Sequence, residues 1–489
     1  MEEKTASEII SRLDRLPVWS LPITFIGVLG TGFLFTFFDI FDINVSFIQT
    51  ALTTFGVSPP SSPQIPQLLG PVVLWNLVGY VVGALALTPL ADKFGRRRML
   101  MLTMAITGLG SLYNALSTDY VNYLVARTIT GIGVGADLAI VNTYINEVSP
   151  INGRAKFTSL VFLFATLGAF MGLWLGLLLT TPSASFPLGL PFALGGSGIF
   201  ATAGWRIMYG IGSLLALIGL LLRFELPESP RWLVTKGRVR EALSIVEKME
   251  EVARRKIGEL PPIPQHIEVK VSTESSFKEA LATIFGNKAY LKRWIIMMSM
   301  WFFGYITVYT NAAGLTTILS SLGYPSSEAG MIASLGILGF IAVPVLLIAF
   351  GEGLERKIWV PISALLALAG GIIMAEARGS FPLEVLGAFV LFFGIDLWVP
   401  ISYTWTTENF PTRARVTGFG LADGVGHIGG GIGSFLVALE IGNMLSKGVN
   451  GGTALEVFML MISFQLISAL ISLAGIRTAK KRLDEISPH

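Results

Sequence analysis

Glu147-Val148-Ser149-Pro150-Ile151-Asn152-Gly153-Arg154 is repeated 261 residues later as Glu408-Asn409-Phe410-Pro411-Thr412-Arg413-Ala414-Arg415. Both stretches read E-x-x-P-x-x-x-R. A second pair of charged segments has nearly the same offset. Asp92-Lys93-Phe94-Gly95-Arg96-Arg97-Arg98 is matched 260 residues on by Glu352-Gly353-Leu354-Glu355-Arg356-Lys357. Two independent motifs repeated at one spacing imply two homologous halves.

Working outward from these motifs, each one follows an apolar run of about 20 residues, long enough to cross a ~30 Å hydrocarbon core as a helix. Twelve such runs are legible, at about 20–52, 71–91, 99–117, 121–147, 155–180, 204–224, 292–321, 328–350, 358–377, 384–408, 414–440 and 453–476. The first is too long for one crossing and is expected to project beyond it. Backbone polar groups in lipid must be satisfied within a segment, so the runs read as helices. Continuous rather than alternating hydrophobicity argues against a barrel. The fold class expected is an all-α membrane protein of twelve transmembrane helices in two pseudo-symmetric six-helix bundles. The composition agrees: 489 residues, 52% hydrophobic and 14% charged, against about 25% charged in soluble chains.

The basic residues choose the sides. Of 35 Lys and Arg, 31 lie before the first run, after the last, or in and beside the loops that follow the even-numbered runs. By the positive-inside rule these segments face the cytoplasm, with both termini inside a cell membrane. The alternate loops are nearly uncharged, and residues 53–70 and 181–203 carry no charge. Residues 225–291 are charged and Pro-punctuated and read as a cytoplasmic linker. The expected division is 1–224, 225–291 and 292–489. Met1 to Arg15 has no early apolar core and does not read as a signal peptide.

Several chemistries lack support. There is no Cys, so thiolate chemistry and Cys-ligated metals are excluded. No G-x-x-x-x-G-K-S/T, G-x-S-x-G or Cys/His cluster occurs, so an ATP-driven pump, an enzyme, a metal site and a cofactor are not expected. The basic residues form no stripe that would fit nucleic acid.

Ionisable residues inside membrane spans are functional candidates because of their cost. They are Asp39 and Asp42 on one face of span 1, Arg127 and Asp137 in span 4, Asp396 in span 10, and Asp423 and His427 in span 11. Depth allows Asp42 to meet Arg127. A proton on such a carboxylate frees the arginine and removes a buried charge; a static structural pair is the other reading. Asp137 is a second proton-site candidate. Asn142, Tyr305, Tyr309, Asn311, Trp398 and Tyr403 complete the candidate solute contacts, with Asp39, Asp396 and His427. At the loops, Asp92, Arg96, Arg97, Glu147, Arg154, Glu228, Arg231, Glu408, Arg413 and Arg415 read as a cytoplasmic gate. There, acid–arginine pairs such as Glu147/Arg154 and Glu408/Arg415 can tie the halves together, or merely anchor the helix ends.

Asp92–Arg98, Arg127-Thr-Ile-Thr-Gly131-Ile-Gly133-Val-Gly135, Pro227-Glu228-Ser229-Pro230-Arg231-Trp232-Leu233 and Glu408-Asn-Phe-Pro411-Thr-Arg413 resemble the major facilitator superfamily, in its sugar-porter-like branch. Thr88 and Glu355 replace glycines of the usual pattern. The Gln-Gln pair and Gly-Ile-Asn of hexose porters are missing from Met300–Ile306, and their span 5 glutamine falls on Phe162. Phe37-Phe38-Asp39-Ile40-Phe41-Asp42 and Gly135-Ala136-Asp137 are instead similar to phosphate and organic-acid proton symporters. His427 stands where phosphate symporters carry a lysine. The resemblance implies alternating access by rocking of two bundles about a mid-membrane site.

The function expected is proton-coupled symport of a small polar solute, an anion such as phosphate or an organic acid. A neutral sugar, an uncoupled facilitator, and a transporter-derived sensor acting through 225–291 are the alternatives. The partners expected are that solute, protons and lipid; nucleic acid is not one, and the protein is expected to be monomeric.

Overall fold

The computed structural model of the chain describes residues 2–150, 154–263, 277–351, 353–411, 414–449, 452–479 and 486. Arg413 and the side chains of Asp92, Arg154 and Arg415 lie outside the described residues. Helix is the only regular secondary structure among the described residues. A first bundle comprises α2 (Thr24–Thr54), α3 (Gln64–Phe94), α4 (Arg96–Leu116), α5 (Tyr120–Val148), α6 (Arg154–Thr180) and α7 (Phe200–Leu222), preceded by α1 (Glu2–Asp14). The linker carries α8 (Pro230–Thr235), α9 (Val239–Ile257) and α10 (Phe277–Gly286). The second bundle comprises α11 (Lys288–Ser321), α12 (Ser326–Gly336), α13 (Leu338–Phe350), α14 (Arg356–Glu376), α15 (Phe381–Leu397), α16 (Val399–Glu408), α17 (Arg415–Ser446) and α18 (Thr453–Leu473).

Eleven of these segments are long and apolar enough to span a membrane. The twelfth, α11, has 34 residues. Its interior is unusually polar, with Tyr305, Thr307, Tyr309, Thr310 and Asn311 all buried. Two expected spans are broken rather than continuous. Span 8 divides at Ile337, where the Phe340 N–H turns back on the Ile337 carbonyl. Span 10 divides at Trp398, two residues before Pro400, which has no N–H for the Asp396 carbonyl.

Local sequence explains the helix starts. Asp119 accepts from the Asn122 N–H at 2.9 Å and caps α5, and Asn287 accepts from the Ala289 N–H to cap α11. Gly95, at φ +103°, makes the turn from α3 to α4. A Cβ there would lie 2.3 Å from Glu228 Oε2, so a side chain is excluded both by conformation and by the linker carboxylate beneath it.

The repeat survives in the packing. Gly133 of α5 presses on Thr107 of α4, and Gly394 of α15 presses on Ala367 of α14; the paired positions differ by 261 and 260. The bundles meet along α3 with α17, α2 with α11, and α6 with α12 and α13. At the α2–α11 contact Asn44 enters the α11 hydrogen-bond ladder. Its Nδ2 donates to the carbonyls of Asn311 (3.1 Å) and Ala312 (2.6 Å), and its Oδ1 accepts from the Thr316 hydroxyl (2.5 Å) and N–H (3.3 Å).

One face carries the charged loops and both described chain ends. There α1 is an element absent from the sequence expectation. Its Ala6, Ile9, Ile10 and Leu13 are buried, as are Ala242, Val246, Met249 and Ala253 of α9, against which it packs. Arg12 and Arg15 both donate to Glu250 of α9, at 2.8 and 2.6 Å. Burial alone would raise the Glu250 carboxyl; the two guanidiniums outweigh it and hold the group below the usual range.

Candidate functional site

Span 1 positions two carboxylates against one guanidinium. Arg127 of α5 donates through Nη1 to Asp39 Oδ1 at 3.1 Å and to Asp42 Oδ1 at 3.5 Å, and through Nη2 to the Asp39 carbonyl at 2.9 Å. All three residues are buried. Asp39 Oδ2 and Asp42 Oδ2 have no hydrogen-bond partner among the described residues. The pairing read from depth is therefore present, but Arg127 is shared. Asp39, expected against the solute, is the closer carboxylate.

Asp137 is committed elsewhere. It forms a two-pronged pair with Arg223, just beyond α7, with Nη2 to Oδ2 at 2.8 Å and Nη1 to Oδ1, and it accepts from the Thr103 hydroxyl at 2.7 Å. Arg223 is fully buried and also donates to the Leu100 carbonyl. Gly32 of α2 makes room for this pair, since a Cβ would lie 1.9 Å from Arg223 Nη2 and 2.4 Å from Asp137 Oδ2. The position 261 residues after Asp137 is Trp398, and a Cβ on Gly304 of α11 would strike its ring at 2.4 Å. The repeat-related positions 137 and 398 thus hold an ion-paired carboxylate in one bundle and an indole in the other.

A second polar cluster spans the two bundles. Asp423 of α17 accepts from the hydroxyl of Tyr305 at 2.7 Å and from that of Tyr80 of α3 at 3.0 Å. His427 lies one turn on, its Nδ1 2.8 Å from the Asp423 carbonyl and 3.4 Å from Oδ2. The imidazole stacks on Tyr80 with centroids 3.6 Å apart and also touches Tyr305 and Tyr309. Neither Tyr80 nor Asp423 was singled out as a solute contact by sequence reasoning.

Aromatic rings join the clusters. Phe37 and Phe41 of α2 meet Phe340 of α13, and Phe162 of α6 meets Phe37 and, at 6.5 Å, Tyr403 of α16. Tyr403 stacks on Trp301, which stacks on Tyr305. Other expected contacts are directed inward to the protein. Asn142 and Asn311 donate their amides to the carbonyls of Leu138 and Thr307 in their own helices. The Trp398 N–H bonds the Ile395 carbonyl. Asp396 is buried, and its Oδ2 is unpartnered among the described residues.

The Arg154 and Arg415 side chains expected opposite Glu147 and Glu408 lie outside the described residues, and the two acids have other partners among those described. Glu147 pairs with Arg96 at 3.0 Å, and Glu408 pairs with Arg356 at 3.6 Å. Each of these two pairs lies within one bundle, and the two are related by the repeat. Glu228 accepts from the backbone N–H groups of Ser229 and Arg96, at 2.9 Å each, and of Arg97. Burial raises its carboxyl against the pull of those donors. Arg231 bonds the Glu147 carbonyl and pairs with Asp14.

The family model described as "Sugar (and other) transporter" matches residues 23–488. The chain belongs to this family. It is a multi-pass membrane transporter of the major facilitator superfamily, not an enzyme. Relatives in the sugar (and other) transporter family include the niacin transporter NiaP of Acinetobacter baylyi, 27% identical over 98% of this chain and 99% of that protein. The 4-hydroxybenzoate transporter PcaK of Pseudomonas aeruginosa is 28% identical over 84% and 85%. The proton:xylose symporter XylE, from E. coli, superposes with a TM-score of 0.70 at 21% identity, covering 95% of this chain and 98% of that one; this likeness shows the fold.

Proposed function

We propose that the protein is a proton-coupled symporter of a small organic anion, an aromatic monocarboxylate. The observation that carries the coupling is the sharing of Arg127 by Asp39 and Asp42. Two buried carboxylates on one guanidinium leave a surplus negative charge in low dielectric, and a proton on one of them relieves it. Asp42, held at the longer distance, is the exchangeable one. Neutralising it loosens Arg127 and lets α2 and α5 shift as the bundles rock.

The substrate class is supported by what lines the centre. Phe162 stands where a sugar porter carries a hydroxyl-binding glutamine, and it joins rings from both bundles. Such rings suit a flat solute, and His427 with Tyr305 and Tyr309 suits its carboxylate. The names of NiaP and PcaK point to the same chemistry. The charged face is taken as cytoplasmic, in a cell membrane, with 1–224 and 292–489 as the rocking units and 225–291 as their link.

The test is uptake into liposomes by the purified protein under an imposed pH gradient. Labelled 4-hydroxybenzoate, nicotinate, phosphate and xylose are offered in turn. Gradient-driven accumulation of the aromatic acids is the expected result. Accumulation of xylose alone would overturn the anion reading, and equilibration without accumulation would overturn the coupling.

A further inference from the structure

We propose that Asp423 is a built-in stand-in for the solute's carboxylate and the site of a second proton, taken up when the solute displaces it. This deepens the reading above and rests on it.

The site is already an anion site, and its occupant is the protein itself. Two phenol hydroxyls converge on the Asp423 carboxylate from different helices, and one of them, Tyr80, comes from the other bundle. An imidazole nitrogen stands 3.4 Å away. Every member is buried. The titratable groups that face Asp423 are Tyr80 of α3, Tyr305 and Tyr309 of α11, Tyr403 of α16 and His427 of α17. All except His427 are neutral donors at physiological pH. A carboxylate is the acceptor that this set is shaped to hold.

An arriving solute carboxylate offers those donors the same group. Once it takes the hydroxyls of Tyr80 and Tyr305, Asp423 is left in the membrane interior without them. An unpartnered buried carboxylate is costly, and protonation removes the charge. The exchange balances: one anion enters, Asp423 gains one proton to become a carboxylic acid, and the cluster keeps its net charge. In the empty carrier the Tyr80–Asp423 bond fastens α3 to α17, so the same displacement also releases a contact between the bundles.

The experiment measures proton uptake by the purified protein in weakly buffered detergent at pH 7 as 4-hydroxybenzoate binds. A pH-indicator dye reads the protons, and tryptophan fluorescence reads the binding. The parent is expected to take up about one proton more per bound anion than Asp423→Asn. Asp423→Glu should restore the uptake, which separates titration from structural support. Asp423→Asn should also bind the anion more tightly above neutral pH, because its internal competitor is neutral. Uptake in Asp423→Asn equal to that of the parent, with binding intact, would overturn this proposal alone. Failure of the folded parent to bind 4-hydroxybenzoate, nicotinate or phosphate would remove both this proposal and the reading beneath it. Should Asp423→Asn not fold, Tyr80→Phe serves instead. It keeps the ring on His427 and takes one donor from Asp423 in the empty carrier as well as from the solute, so affinity should change little while proton uptake per bound anion falls; uptake equal to the parent's would count against the proposal.

Discussion

Arg127 binds Asp39 twice, through the carboxylate at 3.1 Å and the backbone carbonyl at 2.9 Å. Asp42 receives a single contact at 3.5 Å. The two acids are therefore unequal. Asp42→Asn should abolish uphill accumulation under a pH gradient while sparing solute exchange across the liposome membrane. Asp39→Asn should reduce both, because it unfastens the arginine. Exchange and accumulation lost together in Asp42→Asn would show that its charge is structural.

The Asp137–Arg223 pair predicts a stability effect. Removing one partner leaves the other buried and unpaired, a loss of about 3–5 kcal/mol. Arg223→Met should lower the thermal midpoint in detergent sharply. Asp137→Asn combined with Arg223→Met should recover much of that loss. Gly32→Ala should be as damaging as either single change, since its methyl would occupy the position of the guanidinium.

Phe162 predicts selectivity. Phe162→Ala should weaken binding of 4-hydroxybenzoate about five- to ten-fold, the scale of one ring–ring contact. It should leave phosphate unaffected. Competition against a labelled aromatic acid checks this, and parallel losses for both solutes would place Phe162 outside the binding surface.

Glu250 predicts a pH response at the charged face. Its carboxyl is held below the usual glutamate value by Arg12 and Arg15. Its contribution to docking α1 is thus fully present above the ordinary glutamate range and is lost as pH falls through the lowered value. Amide exchange over residues 6–14, corrected for intrinsic rate, should be slow at pH 7 and speed up only once the pH has fallen below the ordinary glutamate range. In Glu250→Gln it should be fast throughout.

Much of the fold was legible because membrane spans announce themselves by length and by the side on which arginines stop. The helix breaks at Ile337 and Trp398 were not, since they interrupt a span without interrupting its apolar run. Helix α1 was hidden for the opposite reason. Its spacing at Ala6, Ile9, Ile10 and Leu13 is helical, but it sits in a short charged segment. At the site, Asp42 and Arg127 could be matched by depth alone. Arg223 could not be assigned to Asp137, because an arginine at a span's end reads as a membrane anchor. The Tyr80–Asp423 bond joins residues 343 positions apart and depends on how two helices are rotated, which periodicity in such apolar helices does not define.

Asn44 gives the cycle a kinetic consequence. One amide satisfies two carbonyls, one N–H and one hydroxyl of α11 at once. Parting α2 from α11 cannot release these bonds gradually, since one side chain holds them all. Under the proposed alternating access the barrier to parting these two helices is concentrated in a single step, so Asn44→Ala should change the turnover rate more than the affinity for the solute.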